Sequence, residues 1–220
     1  MVVGESVSRF RVQYDELKPE TRKIFAVRFI LKRHGFTGKL LNVADIGCGP
    51  AVYTSFLERF AHHYVAVDGD PKSVIMSKSL SCDGIVASAA NLPFRDDSFD
   101  LVYASEVVEH LPSMVGLTEC ARICQKILII TLPNPYWPHY KADPTHLLRY
   151  TISSLKAHLD KSRKFRSAIR GLGIELPATQ YPFSIPNWFK ILSLFALFFL
   201  PLFSPTLLCL GVRSPEAKAH

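Results

Sequence analysis

A sharp glycine turn and a single acid downstream of it are the residues of this chain best suited to hold a ligand. In VADIGCGPAVYT, residues 43–54, Gly47 and Gly49 follow an apolar, β-branched run that includes Asp45. Glycine at such positions lets the backbone turn tightly and lets a ligand approach without a Cβ in the way. A helix expected from Pro50 onward would aim unpaired backbone N–H groups at the same place. Asp68 closes the next apolar run, HYVAVD, at about the offset where an acid accepts both hydroxyls of a ribose. Asp70, with Pro71 behind it in the first helical position, suits the helix cap and leaves Asp68 for the ligand. A dinucleotide fingerprint would want glycine or alanine at 52, where this chain has Val52, which disfavours a nicotinamide cofactor.

These residues need a scaffold, and the pattern around them supplies one. Apolar runs alternate with helical patterns, as in a parallel sheet with crossover helices. Strands are expected at LLNVADI, HYVAVD, GIVAS, SFDLVYAS and KILIITLP. Helices are expected from Pro19 to about His34, from Pro50 through Phe60, after Asp70, through Glu119 and Cys124, and after a Thr151 cap. The chain divides into an N-terminal helical segment, 1–39, a main domain, 40–213, and a short tail, 214–220.

Composition narrows the class. The chain has 220 residues, 48% apolar and 20% charged, which suits one globular domain rather than a disordered chain. The N-terminus carries charge from Glu5 onward and lacks the apolar core of a secretory signal. Five cysteines without a C-x-x-C pair or a His/Cys cluster at zinc spacing fit a reduced, cytoplasmic protein with no metal. Cys120 and Cys124, four apart on an expected helix, are either half a metal site or, the better reading, two small buried residues. The net charge of +7 is unevenly spread: residues 40–119 carry −7, between +5 over 1–39 and +8 over 120–170. Such basic flanks favour an anionic partner, or are simply solvated lysines and arginines.

Taken in order, LNVADIGCGP, YVAVDGDP, SAANLPFRDDSFDLVYASEVVEHL and PTHLLRYT resemble the class I S-adenosylmethionine-dependent methyltransferases, in particular the group known as type 11. The resemblance runs from Leu40 to Tyr150, half the chain. It implies an α/β, Rossmann-like sheet of seven strands, mostly parallel with the last antiparallel, helices on both faces, and S-adenosyl-L-methionine as cofactor. By the same resemblance Asp45, Gly47 and Gly49 cradle the methionine part and Asp68 holds the ribose. Ser88 and Ala89 read the adenine edge, and Ala104 and Glu106 lie where the methyl group is exposed. The chain departs from the family twice: Ala51 replaces the third glycine of the turn, and Ser88 replaces the usual aspartate on the adenine amino group. The acidic block has the right sign for a cationic sulfonium.

Methyl transfer is an in-line displacement at an activated sulfonium, so orientation does most of the work. A base is required only where the acceptor carries a proton of high pKa. His110 of the EHL stretch is the candidate catalytic residue, with His139 and His146 behind it; a packed, structural histidine is the competing reading. PNPYW follows strand five rather than strand four, and so reads as a rigid aromatic loop over the acceptor mouth. His146, Arg149 and Tyr150 match a family segment that is more often structural than catalytic.

Ile191 to Val212 is an uncharged run of 22 residues between Lys190 and Arg213. Its length meets the thickness of a bilayer, but Pro201 and Pro205 break a continuous helix. The sheet also needs a closing strand, and TLLCLGVR is the best segment left for it. An apolar helix at about 186–203 would then cover the site, or lie on a membrane surface, or line a lipid-like pocket. The acceptor expected from this is a small molecule or a lipid-like one, with peripheral membrane contact through 186–203. A nucleic-acid acceptor is disfavoured, because no appended RNA-binding module is visible. The rival readings are a catalytically silent adenosylmethionine-binding protein and a membrane-associated interaction protein.

Overall fold

The computed structural model describes residues 19–36, 41–78, 82–137, 143–161, 164–172 and 206–213. Five helices are described: α1 (Pro19–Arg33), α2 (Thr54–Leu57), α3 (Pro71–Lys78), α4 (Val115–Ile123) and α5 (Ile152–Lys161). The strands are β1 (Leu41–Ile46), β2 (Ala61–Asp68), β3 (Asp83–Val86), β4 (Phe99–Ser105), β5 (Cys124–Pro133), β6 (Phe165–Gly171) and β7 (Thr206–Arg213). They form one seven-stranded sheet in the order β3-β2-β1-β4-β5-β7-β6. All pairs from β3 to β5 are parallel, and β7 runs antiparallel to both β5 and β6.

Alternation along the strands sends the core to both faces. Ala44, Ile46, Val102, Ala104, Leu128 and Ile130 cluster on one face with Leu117 and Cys120 of α4 and Leu155 and Leu159 of α5. Val43, Leu101, Tyr103, Ile127 and Ile129 cluster on the other with Ala26, Val27, Ile30 and Leu31 of α1. Each fully buried aliphatic side chain contributes roughly 1.5–3 kcal/mol, so α1 is held by the same core as the sheet.

Helix ends follow the sequence where capping chemistry is present. Asp70 Oδ1 accepts the Lys72 N–H at 3.1 Å, with Pro71 in the first position of α3. Thr151 Oγ1 accepts the Ser154 N–H at 3.0 Å while Ser154 Oγ accepts the Thr151 N–H at 2.9 Å, a reciprocal cap on α5.

Three expectations change. The helix from Pro50 is a series of turns that becomes helical only over Thr54–Leu57, yet Val52, Phe56 and Phe60 still pack against the core. The helix through Cys124 ends at Ile123, and Cys124 opens β5. Strand β6 lies where the sequence pattern places no strand; it forms the sheet edge, with Phe165 and Ile169 buried and Arg166 exposed. The closing strand spans Thr206–Arg213, pairing Ile127 with Val212 through Pro133 with Thr206. The apolar segment 186–203, residues 1–18 and the tail 214–220 lie outside the described residues. No described helix is long and apolar enough to cross a membrane.

Candidate cofactor and acceptor site

In a doubly wound sheet, ligands bind at the carboxyl ends of the strands where the order reverses. Here that place lies between β1 and its neighbours β2 and β4, where the glycine turn, Asp68 and Glu106 converge. The turn is drawn tight by β2, whose Val67 carbonyl accepts the Gly47 and Cys48 N–H groups at 2.7 and 3.0 Å. Gly47, Gly49 and Ala51 all adopt positive φ, at 68°, 49° and 60°. A Cβ on Gly49 would meet nothing within 4 Å, so the surface above it is open to a ligand. A Cβ on Gly47 would instead run into the Val107 side chain, which belongs to the segment after β4. Ala51, the residue in place of the family's third glycine, is thus held in the left-handed region with a side chain, at a cost of about 1–2 kcal/mol.

Asp68 sits half-buried at the end of β2. Its Oδ2 accepts the Gly49 N–H and its Oδ1 the Asp70 N–H, both at 2.8 Å. Each oxygen keeps a lone pair, so the carboxylate can still receive two ribose hydroxyls while the turn holds it in place. The open face above Gly49 and this fixed carboxylate fit the ribose and methionine parts of adenosylmethionine.

Asp45 lies deeper, 1% exposed, and its Oδ2 accepts the Tyr64 hydroxyl at 2.7 Å. Tyr64 in turn is 3.1 Å from the Thr54 hydroxyl. The three residues tie the end of β1 to β2 and to the start of α2, bracing the turn from beneath. Burial, opposed by the bond from Tyr64, raises the Asp45 carboxyl from its ordinary 3.8 to about 7. Nothing in the sequence marks Tyr64 or Thr54 as partners of Asp45, since the three meet only through the pairing of β1 with β2.

The adenine-side residues occupy the loop after β3. Ser88 is exposed, with its hydroxyl accepting the Ala90 N–H at 3.2 Å, and Ala89 packs partly against the core. The loop beyond is pinned by α4: Glu119 accepts the Leu92 N–H at 2.9 Å, and Arg122 donates to the Leu92 and Phe94 carbonyls at 3.1 and 2.7 Å. Arg122 also pairs with Glu119 at 2.7 Å. A basic and an acidic residue three apart on a helix gave no sequence signal of this role.

On the other side of the turn, Ala104 is fully buried, so only its backbone reaches the site. Glu106 has φ 55° and forms an ion pair at 2.9 Å with Lys23, a buried residue of α1. Lys23 also donates to Ser105 Oγ at 3.1 Å. The N-terminal helix therefore fixes the carboxylate at the end of β4, a partnership between distant residues that spacing could not reveal.

His110 ends a short 3₁₀ turn, Val108–His110, and is exposed. Its Nδ1 lies 3.1 Å from the Thr145 carbonyl oxygen. A carbonyl only accepts, so Nδ1 carries the proton and Nε2 keeps a lone pair that can take a proton or ligate a cation. The His110 and His146 rings meet edge to face, with centroids 4.8 Å apart. Glu109, not singled out from the sequence, is 2% exposed, and neither of its carboxylate oxygens has a hydrogen-bond partner. Burial, reinforced by the charge of Glu106, raises its carboxyl above the ordinary range. Glu109, His146, Arg149 and Tyr150 line a small cleft with Leu132 and Pro135, beside the end of β5. The loop PNPYW, residues 133–137, lies within the described residues with Tyr136 exposed, whereas His139 lies outside them.

Comparison with known proteins bears on the domain and its fold. Residues 44–129 match the family model of a methyltransferase domain. An uncharacterized methyltransferase of Mycobacterium sp. (strain JLS) is 35% identical over 98 residues, covering 43% of this chain and 39% of the relative. A probable S-adenosylmethionine-dependent methyltransferase of Mycobacterium tuberculosis (strain H37Rv) is 31% identical over 98 residues, covering 42% of this chain and 36% of the relative. The chain thus spans less than two fifths of the length of these curated relatives. Among solved structures, a SAM-dependent methyltransferase from Archaeoglobus fulgidus superposes with a TM-score of 0.60 at 21% identity, over 87% of this chain and 94% of that one. Residues 44–129 thus carry a methyltransferase domain, set in a sheet with the fold of the S-adenosylmethionine-dependent methyltransferases.

Proposed function

We propose that the chain is an active methyltransferase, moving the methyl group of S-adenosylmethionine to a small or lipid-like acceptor bound beside the end of β5. The cofactor supplies a methyl already activated on a sulfonium. Asp68 and the open glycine turn bind and orient it, while Asp45, Tyr64 and Thr54 hold the turn rigid. Glu106, fixed by Lys23, marks the end of β4, where the family exposes the methyl group. The observation that carries the reading is the cleft next to that place, which combines apolar walls from Leu132, Pro135 and Tyr150 with polar groups from Glu109, His146 and Arg149. The cleft is a notch of about 10 Å³, with room for about one water, so it marks the rim of an acceptor site and does not enclose an acceptor.

The test is a transfer assay with methyl-labelled adenosylmethionine against extracts separated into lipid, small-molecule, protein and nucleic-acid fractions. Label is expected in the lipid or small-molecule fraction. Label confined to protein or nucleic acid would overturn the acceptor class, and cofactor binding without transfer to any fraction would overturn the activity. For His110, the alternatives are separated by His110→Ala: a fall in turnover of about 10²-fold or more at unchanged cofactor affinity marks a group acting in the reaction.

A further inference from the structure

We propose that Glu109, His110 and His146 form a binding site for one divalent first-row metal ion, of the Mn²⁺, Fe²⁺, Co²⁺ or Zn²⁺ class, at the mouth of the acceptor cleft. One ligand atom from each of the three residues lies within 4.8 Å of the others. Side-chain rotation alone can close such a set to the metal–ligand distances of about 2.0–2.2 Å these ions require. The Glu109 carboxylate is the strongest single sign. It is 2% exposed, both oxygens are unpartnered, and a carboxylate in that state needs a cation or a proton to offset its lost hydration.

The backbone brings the two segments together in a defined register. The Glu109 carbonyl accepts the Leu147 and Leu148 N–H groups at 2.8 and 3.0 Å, laying residues 146–148 alongside the 3₁₀ turn. The turn that carries His146 is itself set by Asp143, which accepts the Thr145 N–H and hydroxyl at 2.8 and 2.6 Å. His110 shows the support expected of a metal ligand: its Nδ1–H goes to a backbone carbonyl, that of Thr145, which fixes the ring and leaves the Nε2 lone pair as the ligand atom. Two imidazoles and one carboxylate select borderline transition ions over Mg²⁺ or Ca²⁺, which prefer oxygen alone. Three protein ligands leave coordination positions open, as catalytic sites do.

Glu109 and His146 also line the cleft, so the open positions face the acceptor. This deepens the methyltransferase reading and rests on it: the acceptor atom becomes an oxygen, drawn to the metal as a hydroxyl whose pKa the ion lowers. The hydroxyl loses its proton to solvent. An oxygen lone pair then forms the O–CH₃ bond while the C–S bond breaks with its electrons moving to sulfur. The products are a methyl ether or ester, adenosylhomocysteine and one proton.

The experiment uses the full chain, freed of metal with a chelator and titrated with Mn²⁺ by calorimetry and electron paramagnetic resonance. One equivalent should bind per chain. His110→Ala and His146→Ala should each lower the affinity by at least about 10–100-fold, whereas His63→Ala, on the exposed start of β2, should leave it unchanged. Co²⁺ loading should give a visible d–d spectrum that shifts in both site variants. Should Glu109→Gln disturb folding, the two histidine variants still decide the matter, because His110 is exposed and His146 is not in the core. Absence of stoichiometric binding in the wild-type chain, or binding that survives both histidine changes, overturns the site. Adenosylmethionine affinity measured on the metal-free chain separates the two readings: retained cofactor binding without a metal site removes this proposal and leaves the methyltransferase assignment standing.

Discussion

The two sides of the glycine turn are built on opposite plans. On the cofactor side, every singled-out carboxylate already holds a donor: Asp45 has Tyr64, and Asp68 has the Gly49 and Asp70 N–H groups. On the acceptor side, Glu109 has none, and Glu106 is held by a lysine from a helix far away in sequence. The first side is already braced by hydrogen bonds within the chain. The second keeps a polar deficit that only something added to the chain, or a proton, can meet. A preorganised half beside an unsatisfied half is the arrangement expected where one ligand is constant and the chemistry happens against another.

The sharpest test of that contrast lies where the halves touch, at Gly47 and Val107. Gly47→Val combines a left-handed backbone with a collision into Val107, and should destabilise the chain by about 3–5 kcal/mol in urea unfolding. Adding Val107→Ala should return part of that loss, because the second change empties the space the first one fills. Wild-type stability in the single variant would mean the halves are not packed together.

Asp45→Asn probes the rigidity of the cofactor side through pH. The folded chain holds the Asp45 proton up to about 7 and the unfolded chain only up to about 3.8. Wild-type stability should therefore fall as pH rises between these values, and stay lowered above them. An asparagine has nothing to lose there, so the variant's advantage should grow from pH 4 to pH 8, up to about 4 kcal/mol. Thermal unfolding across that range checks it, and a constant difference would show that the Asp45 carboxyl titrates alike in the folded and unfolded chain.

Asp68→Ala should weaken adenosylmethionine binding by about 1.5–3 kcal/mol in calorimetry, the worth of hydrogen bonds to a charged partner. Unchanged affinity in a folded variant would move the ribose elsewhere. The smallest effect is expected at Ala51. Ala51→Gly relieves the left-handed strain but frees the unfolded chain, leaving a net gain of about 0.5–1 kcal/mol. A loss of stability would show that the methyl group of Ala51, 6% exposed, is worth more in packing than it costs in strain.

The same division decides how much could be read from sequence. The cofactor side is local: strand, turn and Asp68 fall within a short stretch, and their residue types state their geometry. Strands β1, β2, β4 and β5 are continuous apolar runs, and β7 was recognisable because a closing strand was needed and only one segment suited it. β6 escaped because an edge strand with Arg166, Ser167 and Arg170 lacks such a run. The helix at Pro50 was overextended because Val52, Phe56 and Phe60 have helical spacing, although the first of them is still within the turns. The acceptor side is assembled by tertiary contacts. Lys23 of α1 reaches Glu106 just past the end of β4, and His146 arrives beside Glu109 through two backbone hydrogen bonds. No spacing rule covers such encounters.

Strand β7 lies between β5 and β6 although it follows both in the chain. A nascent chain emerging at about 5–20 residues per second exposes β6 before the strand that must separate it from β5. Until β7 appears, β6 has no ladder to join, and the β5 edge presents the unpaired backbone of Ile127 through Pro133. The sheet is therefore completed by insertion rather than by addition at its margin, a step of long sequence separation and correspondingly slow closure. The open β5 edge is the segment a chaperone would have to guard, and the moment of its closure is when the chain passes from a partly built sheet to a finished one.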